Sequence, residues 1–130
     1  MTQKHILVVE DDPYIAEQLC SLLAEKGFLH THAETLAAAR GALGTQAFDL
    51  VISDLSIPAG DGRFPDLSKG LDLINTLAWQ KPDLPVIVIS GSLGSREVVE
   101  DLKAMKNVVA KVWKPYDSEE LVSEIRQALA

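Results

Sequence analysis

Apolar residues fall into short unbroken runs that alternate with longer stretches in which they recur every three or four positions. The strongest runs are rich in β-branched residues and occupy residues 5–10 (HILVVE), 48–54 (FDLVISD) and 84–90 (LPVIVIS). Weaker runs lie at 28–31 and 108–113. Unbroken apolar runs of this length are typical of strands that are buried on both faces of a parallel sheet. The pattern therefore predicts five strands.

The stretches between the runs predict amphipathic helices. In the first, Ile15, Leu19 and Leu23 recur at helical spacing after Asp12-Pro13, a predicted N-cap followed by a proline at the first helical position. Similar patterns predict helices at 34–43, near 71–77, at 96–105 and at 117–129, and Gly27 and Gly44 are the expected stops of the first two. Strands that alternate with helices predict an α/β fold whose parallel sheet is covered on both sides.

Composition and charge narrow the class of protein. A chain of 130 residues with 47% hydrophobic residues forms one folded domain, which we place at 1–130. The net charge of -7, without a basic stripe, argues against nucleic acid and anionic membranes as partners. Cys20 is the only cysteine, so no disulfide can form within the chain, and no stretch is long enough to span a membrane. We expect a soluble, cytoplasmic domain.

Charged and polar residues stand where the predicted strands end. They are Glu10, Asp11 and Asp12 after the first strand, Asp54 at the end of the third, Ser90 at the end of the fourth and Lys114 after the fifth. Ligands of open parallel sheets bind beyond the carboxyl ends of the strands. We therefore expect these acids, the hydroxyl and the ammonium to meet at one edge of the sheet.

This combination of side chains suits phosphoryl transfer. Neighbouring carboxylates repel one another unless a cation lies between them, and a hard cation with oxygen ligands, Mg²⁺ (or Mn²⁺), fits such a half-open site. The cation and Lys114 would hold two oxygens of an incoming phosphoryl group, and the Ser90 hydroxyl would donate to a third. Asp54 remains as the nucleophile, a role that carboxylates take in aspartyl-phosphate chemistry.

Four segments, ILVVEDDP, DLVISDLSIP, PVIVISG and KVWKP, resemble the signature segments of bacterial two-component response-regulator receiver domains. They occur in the family's order and cover essentially the whole chain. The resemblance implies a flavodoxin-like (βα)5 doubly wound fold with a five-stranded parallel sheet in the order 2-1-3-4-5. It also implies a signalling phosphoacceptor that is not an enzyme, with at most self-catalysed phosphotransfer and autodephosphorylation.

The resemblance assigns roles residue by residue. Asp54 matches the phosphoacceptor. Asp11 matches the acid that ligates Mg²⁺ directly, and Glu10 matches its partner, which usually acts through water. Asp54 itself and the backbone carbonyl of Ser56 match the remaining protein ligands of the metal.

The resemblance also implies a switch and its partners. Ser90 matches the hydroxyl residue that reorients toward the phosphoryl group, and Lys114 matches the family lysine, which precedes Pro115 in a cis-type turn. Family members receive the phosphoryl group from a sensor histidine kinase or a histidine phosphotransfer protein. They then repack the face made by the fourth helix, the fifth strand and the fifth helix. The implied partners are thus such a phosphodonor and an output protein or domain that the sequence does not identify, for a monomer or weak dimer.

Three regions depart from the family pattern, and one of them is the helix between Ser90 and the last strand, which is longer than usual. The loop after Asp54 is longer than usual, and its extra segment, roughly Asp61 to Lys69, is expected beside the active site, where it could carry Arg63 or Lys69 toward the phosphoryl group or contact a partner. Gly62 fits one spacing of the family glycine, whereas Gly70 fits its sequence context better.

Another departure concerns the switch. Lys111 stands where the family has its switch aromatic, three residues before the lysine. Trp113 lies on the same side of the predicted strand as Lys111 and could take a related role.

Three other functions are compatible with the fold class. An aspartate-nucleophile phosphatase would need a second aspartate at position 56, which is Ser56, and a nucleophile on the first strand. A flavodoxin-type cofactor binder would need a Ser/Thr/Gly-rich phosphate loop where this chain has EDDPY. A degenerate receiver that only binds partners would not need the intact set of acids, serine and lysine.

His30 and His32 have a spacing that could ligate a metal, but no third ligand is predicted beside them, so we interpret both as exposed.

Overall fold

The computed structural model describes residues 3–60, 62, 64–91 and 96–130, and the side chains of residues 96–99 lie outside this description. Strands and helices alternate along the chain from end to end. They are β1 (His5–Val9), α1 (Pro13–Glu25), β2 (Leu29–Ala33), α2 (Leu36–Thr45), β3 (Leu50–Asp54), α3 (Leu67–Gln80), β4 (Val86–Ser90), α4 (Arg96–Ala104), β5 (Val108–Trp113) and α5 (Ser118–Leu129).

The strands form one parallel sheet in the order β2-β1-β3-β4-β5, which confirms the flavodoxin-like fold. Every residue of β3 and β4 is buried, as is all of β1 apart from His5, because helices cover both faces. These are the three strands that the unbroken apolar runs predict. None of the helices among the described residues is long and apolar enough to cross a membrane.

Successive strand residues point to opposite faces of the sheet and so belong to two separate apolar layers. Leu7, Val9 and Val51 pack with α2 and α3 on one face of the sheet. Ile6 and Val8 pack with α1 and α5 on the other. The strand alternation thus places the sheet between two hydrophobic layers and leaves its carboxyl edge free for polar side chains.

Local signals fix the ends of most helices. Asp12 caps α1 by accepting hydrogen bonds from the backbone N–H groups of Tyr14 (2.9 Å) and Ile15 (3.3 Å). Gly27 follows α1 with φ +87°, a left-handed conformation that favours glycine. Both positions, together with Pro13 at the first turn, confirm the sequence prediction.

The predicted bounds of the second helix were wrong. The Thr35 hydroxyl accepts from the Ala38 N–H at 3.0 Å, so α2 begins at Leu36, and the helix runs through Gly44 to Thr45. A glycine weakens a helix but ends it only where the chain turns left-handed, and here the chain leaves the helix in an extended conformation at Gln46.

The long connection between β3 and α3 is anchored at several points. Its two ends meet in an antiparallel bridge in which the Asp66 N–H donates to the Ile57 carbonyl at 3.1 Å. The first turn of α2 donates to the carbonyls of Pro58 and Ala59, from Leu36 and Ala37, at 2.9 and 3.0 Å. The connection therefore packs against the start of α2 before it enters α3.

The predicted extra segment, roughly Asp61 to Lys69, overlaps the start of α3. Asp66 caps α3 by accepting from the Ser68 N–H at 2.8 Å, so Lys69 already belongs to the helix. The Lys69 ammonium lies 3.9 Å from the Asp72 carboxylate on the helix surface. Asp61 and Arg63 lie outside the described residues. Gly62 has φ +76°, which explains a glycine at that position.

Gly70 brings α3 into direct contact with the residue after Asp54. A Cβ at Gly70 would lie 2.0 Å from the Leu55 carbonyl oxygen and 2.5 Å from the Leu55 Cα, closer than any side chain can approach. Both neighbours belong to the backbone and cannot swing away. Gly70 is therefore required for the close packing of α3 against the residue after β3, and Gly62 for the left-handed turn in the loop.

We expect Gly70→Ala to lower the free energy of unfolding by at least about 2 kcal/mol, because the added methyl overpacks the Leu55 backbone. Gly41→Ala is the matched control, since Gly41 also lies in a helix but has nothing within 4 Å of an added Cβ. That change should raise the free energy of unfolding by about 0.5 to 1 kcal/mol. Urea denaturation followed by circular dichroism measures both, and equal effects of the two substitutions would contradict the close approach.

Candidate functional site

The sheet register places the predicted residues side by side at the carboxyl edge. Val9 is paired with Ser53, so Glu10 and Asp54 continue from neighbouring strand ends. Asp54 is paired with Ile89 on β4, and Ser90 with Trp113 on β5. The strands thus deliver an acid, a second acid, a hydroxyl and the residue before Lys114 to one edge, as the sequence predicts.

Asp54 is held from two directions. Its side chain is 8% exposed. One carboxylate oxygen, Oδ2, lies 2.6 Å from the Lys114 ammonium. The other, Oδ1, accepts from the backbone N–H of Ser56 at 3.1 Å, in a turn that the chain makes as it leaves β3. The carboxylate is therefore fixed in direction before any ligand enters the site.

Glu10 is fully buried and shares the same lysine. Its Oε2 lies 2.8 Å from the Lys114 ammonium, and its Oε1 accepts from the Asp12 N–H at 3.1 Å. Burial raises the pKa of Glu10 to about 7; the hydrogen bond from Lys114 opposes this increase, and the nearby charge of Asp54 adds to it. Glu10 therefore exchanges a proton near neutral pH when no divalent metal ion is bound.

Lys114 joins the two acids. Its ammonium contacts both carboxylates, and its backbone N–H donates to the Ser90 carbonyl at 3.0 Å. The Lys114-Pro115 peptide is cis, as the resemblance implies. Burial by itself would lower the pKa of Lys114, but the hydrogen bonds and charges of Asp54 and Glu10 together outweigh it and raise this pKa above its usual value. The lysine is thus a permanent cation.

Three carboxylates can hold a metal ion together. Glu10, Asp11 and Asp54 each offer an oxygen, and these oxygens all lie within 4.8 Å of one another. Asp11 is half-buried, and burial raises its pKa, to which the charges of Asp54 and Asp12 add. Clustered oxygen donors with partly buried charge fit Mg²⁺, a hard cation that retains several waters. Asp12, by contrast, is exposed and engaged as the α1 cap, as the sequence suggests.

The predicted switch residues lie next to the site on an edge strand. Lys111 and Trp113 are exposed residues of β5, and Trp113 retains 53% exposure although it is paired with the buried Ser90. Between them, Val112 points into the apolar layer shared with α1 and α5. Lys111 and Trp113 therefore face away from that layer, on the same side of the strand.

Sequence reasoning missed His32. The expectation that both histidines are exposed was wrong for this residue: His30 is exposed, but His32 is half-buried, and its Nε2 lies 2.7 Å from the Glu10 carbonyl oxygen. The contact joins β2 to the first residue after β1, so it depends on the pairing of two strands. The sequence does not show the register of these two strands, so the contact could not be predicted from it.

Comparison with known proteins identifies relatives along nearly the whole chain. A family model for the response regulator receiver domain matches residues 6–126. The chain is 32% identical over 126 residues to the probable transcriptional regulatory protein TcrX of Mycobacterium tuberculosis, covering 95% of this chain and 49% of that protein. It is 29% identical over 124 residues to the swarming motility regulation protein RssB of Serratia marcescens, covering 94% and 51%. The chain thus spans about half of the length of these relatives.

Solved structures agree with this result. The signal receiver domain of an HD domain-containing protein from Pseudomonas fluorescens superposes with a TM-score of 0.85 at 25% identity, covering 98% of this chain and 95% of that one. A response regulator receiver protein from Pseudomonas putida gives a TM-score of 0.83 at 28% identity, with 98% of both chains covered.

The raised pKa of Glu10 predicts how stability depends on pH in the absence of divalent metal. Between the ordinary value of 4.5 and about 7, the folded protein holds a proton on Glu10 that the unfolded chain has lost. The free energy of unfolding should therefore fall as pH rises through this window. Glu10→Gln removes the titrating group, so its slope should be shallower. Urea denaturation in EDTA at several pH values measures both slopes.

Glu17→Gln is the control for this experiment, because Glu17 lies on the exposed surface of α1. It should keep the wild-type slope. A wild-type slope in Glu10→Gln as well would mean that Glu10 is not the group that titrates.

Proposed function

The chain belongs to the response regulator receiver domain family, and we propose that it is a phosphorylation-dependent signalling switch that accepts a phosphoryl group on Asp54. The observation that carries this proposal is the contact of one ammonium, Lys114, with the Asp54 carboxylate at 2.6 Å and the Glu10 carboxylate at 2.8 Å. A buried carboxylate with a fixed cation beside it, next to two further acids, suits attack on an anionic phosphoryl group.

The proposed reaction transfers one phosphoryl group. An oxygen of the Asp54 carboxylate forms a bond to phosphorus as the bond between phosphorus and the donor breaks. The donor is a phosphohistidine of a sensor histidine kinase or histidine phosphotransfer protein, and its imidazole leaves. The product is an acyl phosphate on Asp54. Repulsion between the incoming phosphoryl oxygens and the acids has to be overcome for this step.

The acids would hold the metal, and the other residues would hold the phosphoryl group. Glu10, Asp11, Asp54 and the Ser56 carbonyl would bind Mg²⁺ (or Mn²⁺), which when bound would offset the negative charge of the carboxylates and part of that of the phosphoryl group. Lys114 would exchange its contact with Asp54 for one with a phosphoryl oxygen. Ser90, buried at the end of β4 beside β5, would turn its hydroxyl toward another.

The proposed output is a change in partner binding through the face formed by α4, β5 and α5. Lys114 follows β5 directly, and the exposed side of that strand presents Lys111 and Trp113. We assign the switch to Ser90, Lys111 and Trp113. Lys111 stands where the family has its switch aromatic, and Trp113 supplies an aromatic side chain on the same side of β5. The domain acts as a cytoplasmic signalling phosphoacceptor rather than as an enzyme with turnover. The output partner is a protein or domain outside this fold, and the proposed state is a monomer or weak dimer.

Acetyl phosphate should label wild-type protein on Asp54 only in the presence of Mg²⁺. Asp54→Asn should abolish the label, because an amide has no carboxylate oxygen to attack phosphorus. Asp83→Asn, an exposed residue before β4 at the opposite end of the strands, should label as wild type does. Intact-mass and peptide mass spectrometry measure both. Persistent labelling of the Asp54 variant at full stoichiometry would place the phosphoacceptor elsewhere.

Substitutions of Asp11 and Asp12 should differ in their effect on the Mg²⁺ concentration that labelling requires. Asp11→Asn removes a proposed ligand and should raise the Mg²⁺ concentration for half-maximal labelling at least about ten-fold. Asp12→Asn should leave it nearly unchanged, because Asn caps a helix as well as Asp does. A Mg²⁺ titration of the acetyl phosphate reaction compares them. If the Asp12 variant were the more impaired of the two, the assignment of metal ligand and helix cap would have to be reversed.

A further inference from the structure

His32 makes a contact with the site that lies just beyond the end of the β1–β2 ladder. The last backbone hydrogen bond between these strands runs from the Glu10 N–H to the Ala33 carbonyl at 3.0 Å. The next acceptor along β1 is the Glu10 carbonyl, and the His32 imidazole reaches it at 2.7 Å. Val8 is the register partner of His32, so the ring extends along the strand from its own pair to Glu10. Glu10 is the first residue of the acidic turn, which comprises residues 10–12 after β1.

The direction of this hydrogen bond is determined by its acceptor. A carbonyl oxygen can only accept, so Nε2 carries the proton and donates. The Glu10 carbonyl belongs to the planar peptide that joins Glu10 to Asp11. A hydrogen bond that fixes the carbonyl therefore also fixes the N–H and the Cα direction of Asp11.

The side chain of Glu10 is already held by other groups. Its carboxylate accepts from Asp12 and from Lys114. The His32 imidazole instead holds the backbone carbonyl of Glu10. This carbonyl belongs to the peptide that precedes Asp11 and therefore sets the orientation of Asp11.

We propose that His32 is a positioning residue for the acidic turn, which it holds so that the Asp11 carboxylate faces the oxygens of Glu10 and Asp54. This inference rests on the proposed function, since it assigns His32 to the metal site of that reaction. His32 acts through the Glu10-Asp11 peptide and does not itself touch the metal or the phosphoryl group. Partners of this kind typically change metal affinity about 10-fold to 100-fold when they are removed.

Two amide substitutions at His32 test the contact, because they differ only in how far their amide nitrogen extends toward the Glu10 carbonyl. The amide nitrogen of Gln occupies roughly the position of Nε2, whereas that of Asn is one methylene shorter. His32→Gln should bind Mn²⁺ within about two-fold of wild type, while His32→Asn and His32→Leu should bind about ten-fold more weakly. His30→Asn, on the exposed residue two positions earlier in β2, should bind as wild type does. Loss of the electron paramagnetic resonance signal of free Mn²⁺ measures the dissociation constants directly.

The design separates a positioning role from general damage to β2. Gln and Asn have the same charge and functional group, so a general loss of strand stability would affect both variants alike, and urea denaturation without metal checks that each is folded. Equal affinities for His32→Gln and His32→Asn would overturn the proposal, as would equal losses in His32→Asn and His30→Asn.

A second readout distinguishes this inference from the proposed function. Acetyl phosphate labelling of wild type tests Asp54 chemistry without reference to His32. If wild type is labelled on Asp54 and the His32 variants bind Mn²⁺ as it does, the positioning role fails and the function stands. If wild type remains unlabelled but the Gln and Asn variants differ in Mn²⁺ affinity as expected, the function fails and the positioning role stands.

Discussion

The contact of one lysine with two buried acids is the interaction on which the site depends. Two carboxylates within reach of each other inside a protein repel by several kcal/mol, about 4 kcal/mol for unit charges 4 Å apart at an effective dielectric of 20. Lys114 offsets much of this repulsion by touching both Asp54 and Glu10. Three carboxylates and one ammonium still carry a net charge of -2 when all are ionised, which a divalent cation would neutralise. Without a cation, the proton that Glu10 retains up to about pH 7 relieves part of the same strain.

The fold supplies this arrangement by holding the turns after β1 and β3 from several sides. The turn after β3 has the backbone of α3 against Leu55 at Gly70, and farther on its carbonyls at Pro58 and Ala59 accept from the start of α2. The turn after β1 is fixed through Glu10, by Lys114 at the carboxylate and by His32 at the carbonyl. The repulsion that Lys114 leaves uncompensated is resisted by a backbone that cannot relax away from the charges.

The sequence alone predicts those strands and site residues that can be recognised from a short segment of the chain. Unbroken apolar runs identify β1, β3 and β4, and the polar residues at their ends indicate the site, because parallel strands bring their carboxyl ends together. The start of α2 was misplaced because Thr35 competes with nearby residues as a cap, and Gly44 is only a weak stop. The partner of His32 and the contact of Gly70 with Leu55 could not be predicted, since each depends on the exact register or approach of two elements distant in the chain. The gathering of acids with Lys114 was predictable, whereas their supports were not.

In the proposed function, the same lysine links Asp54 to the exposed surface of β5. Lys114 is tied to the sheet through its N–H, which donates to the Ser90 carbonyl, and Ser90 is the register partner of Trp113. In the proposed function, the ammonium and the Ser90 hydroxyl both turn toward the phosphoryl group, so the two residues that flank the end of β5 change their contacts together. Trp113 is the register partner of Ser90 and the residue that precedes Lys114, and about half of its surface is in solvent. A half-exposed aromatic side chain can repack at little cost to the core, which makes Trp113, rather than the charged Lys111, the better candidate to report the state of Asp54 to a partner.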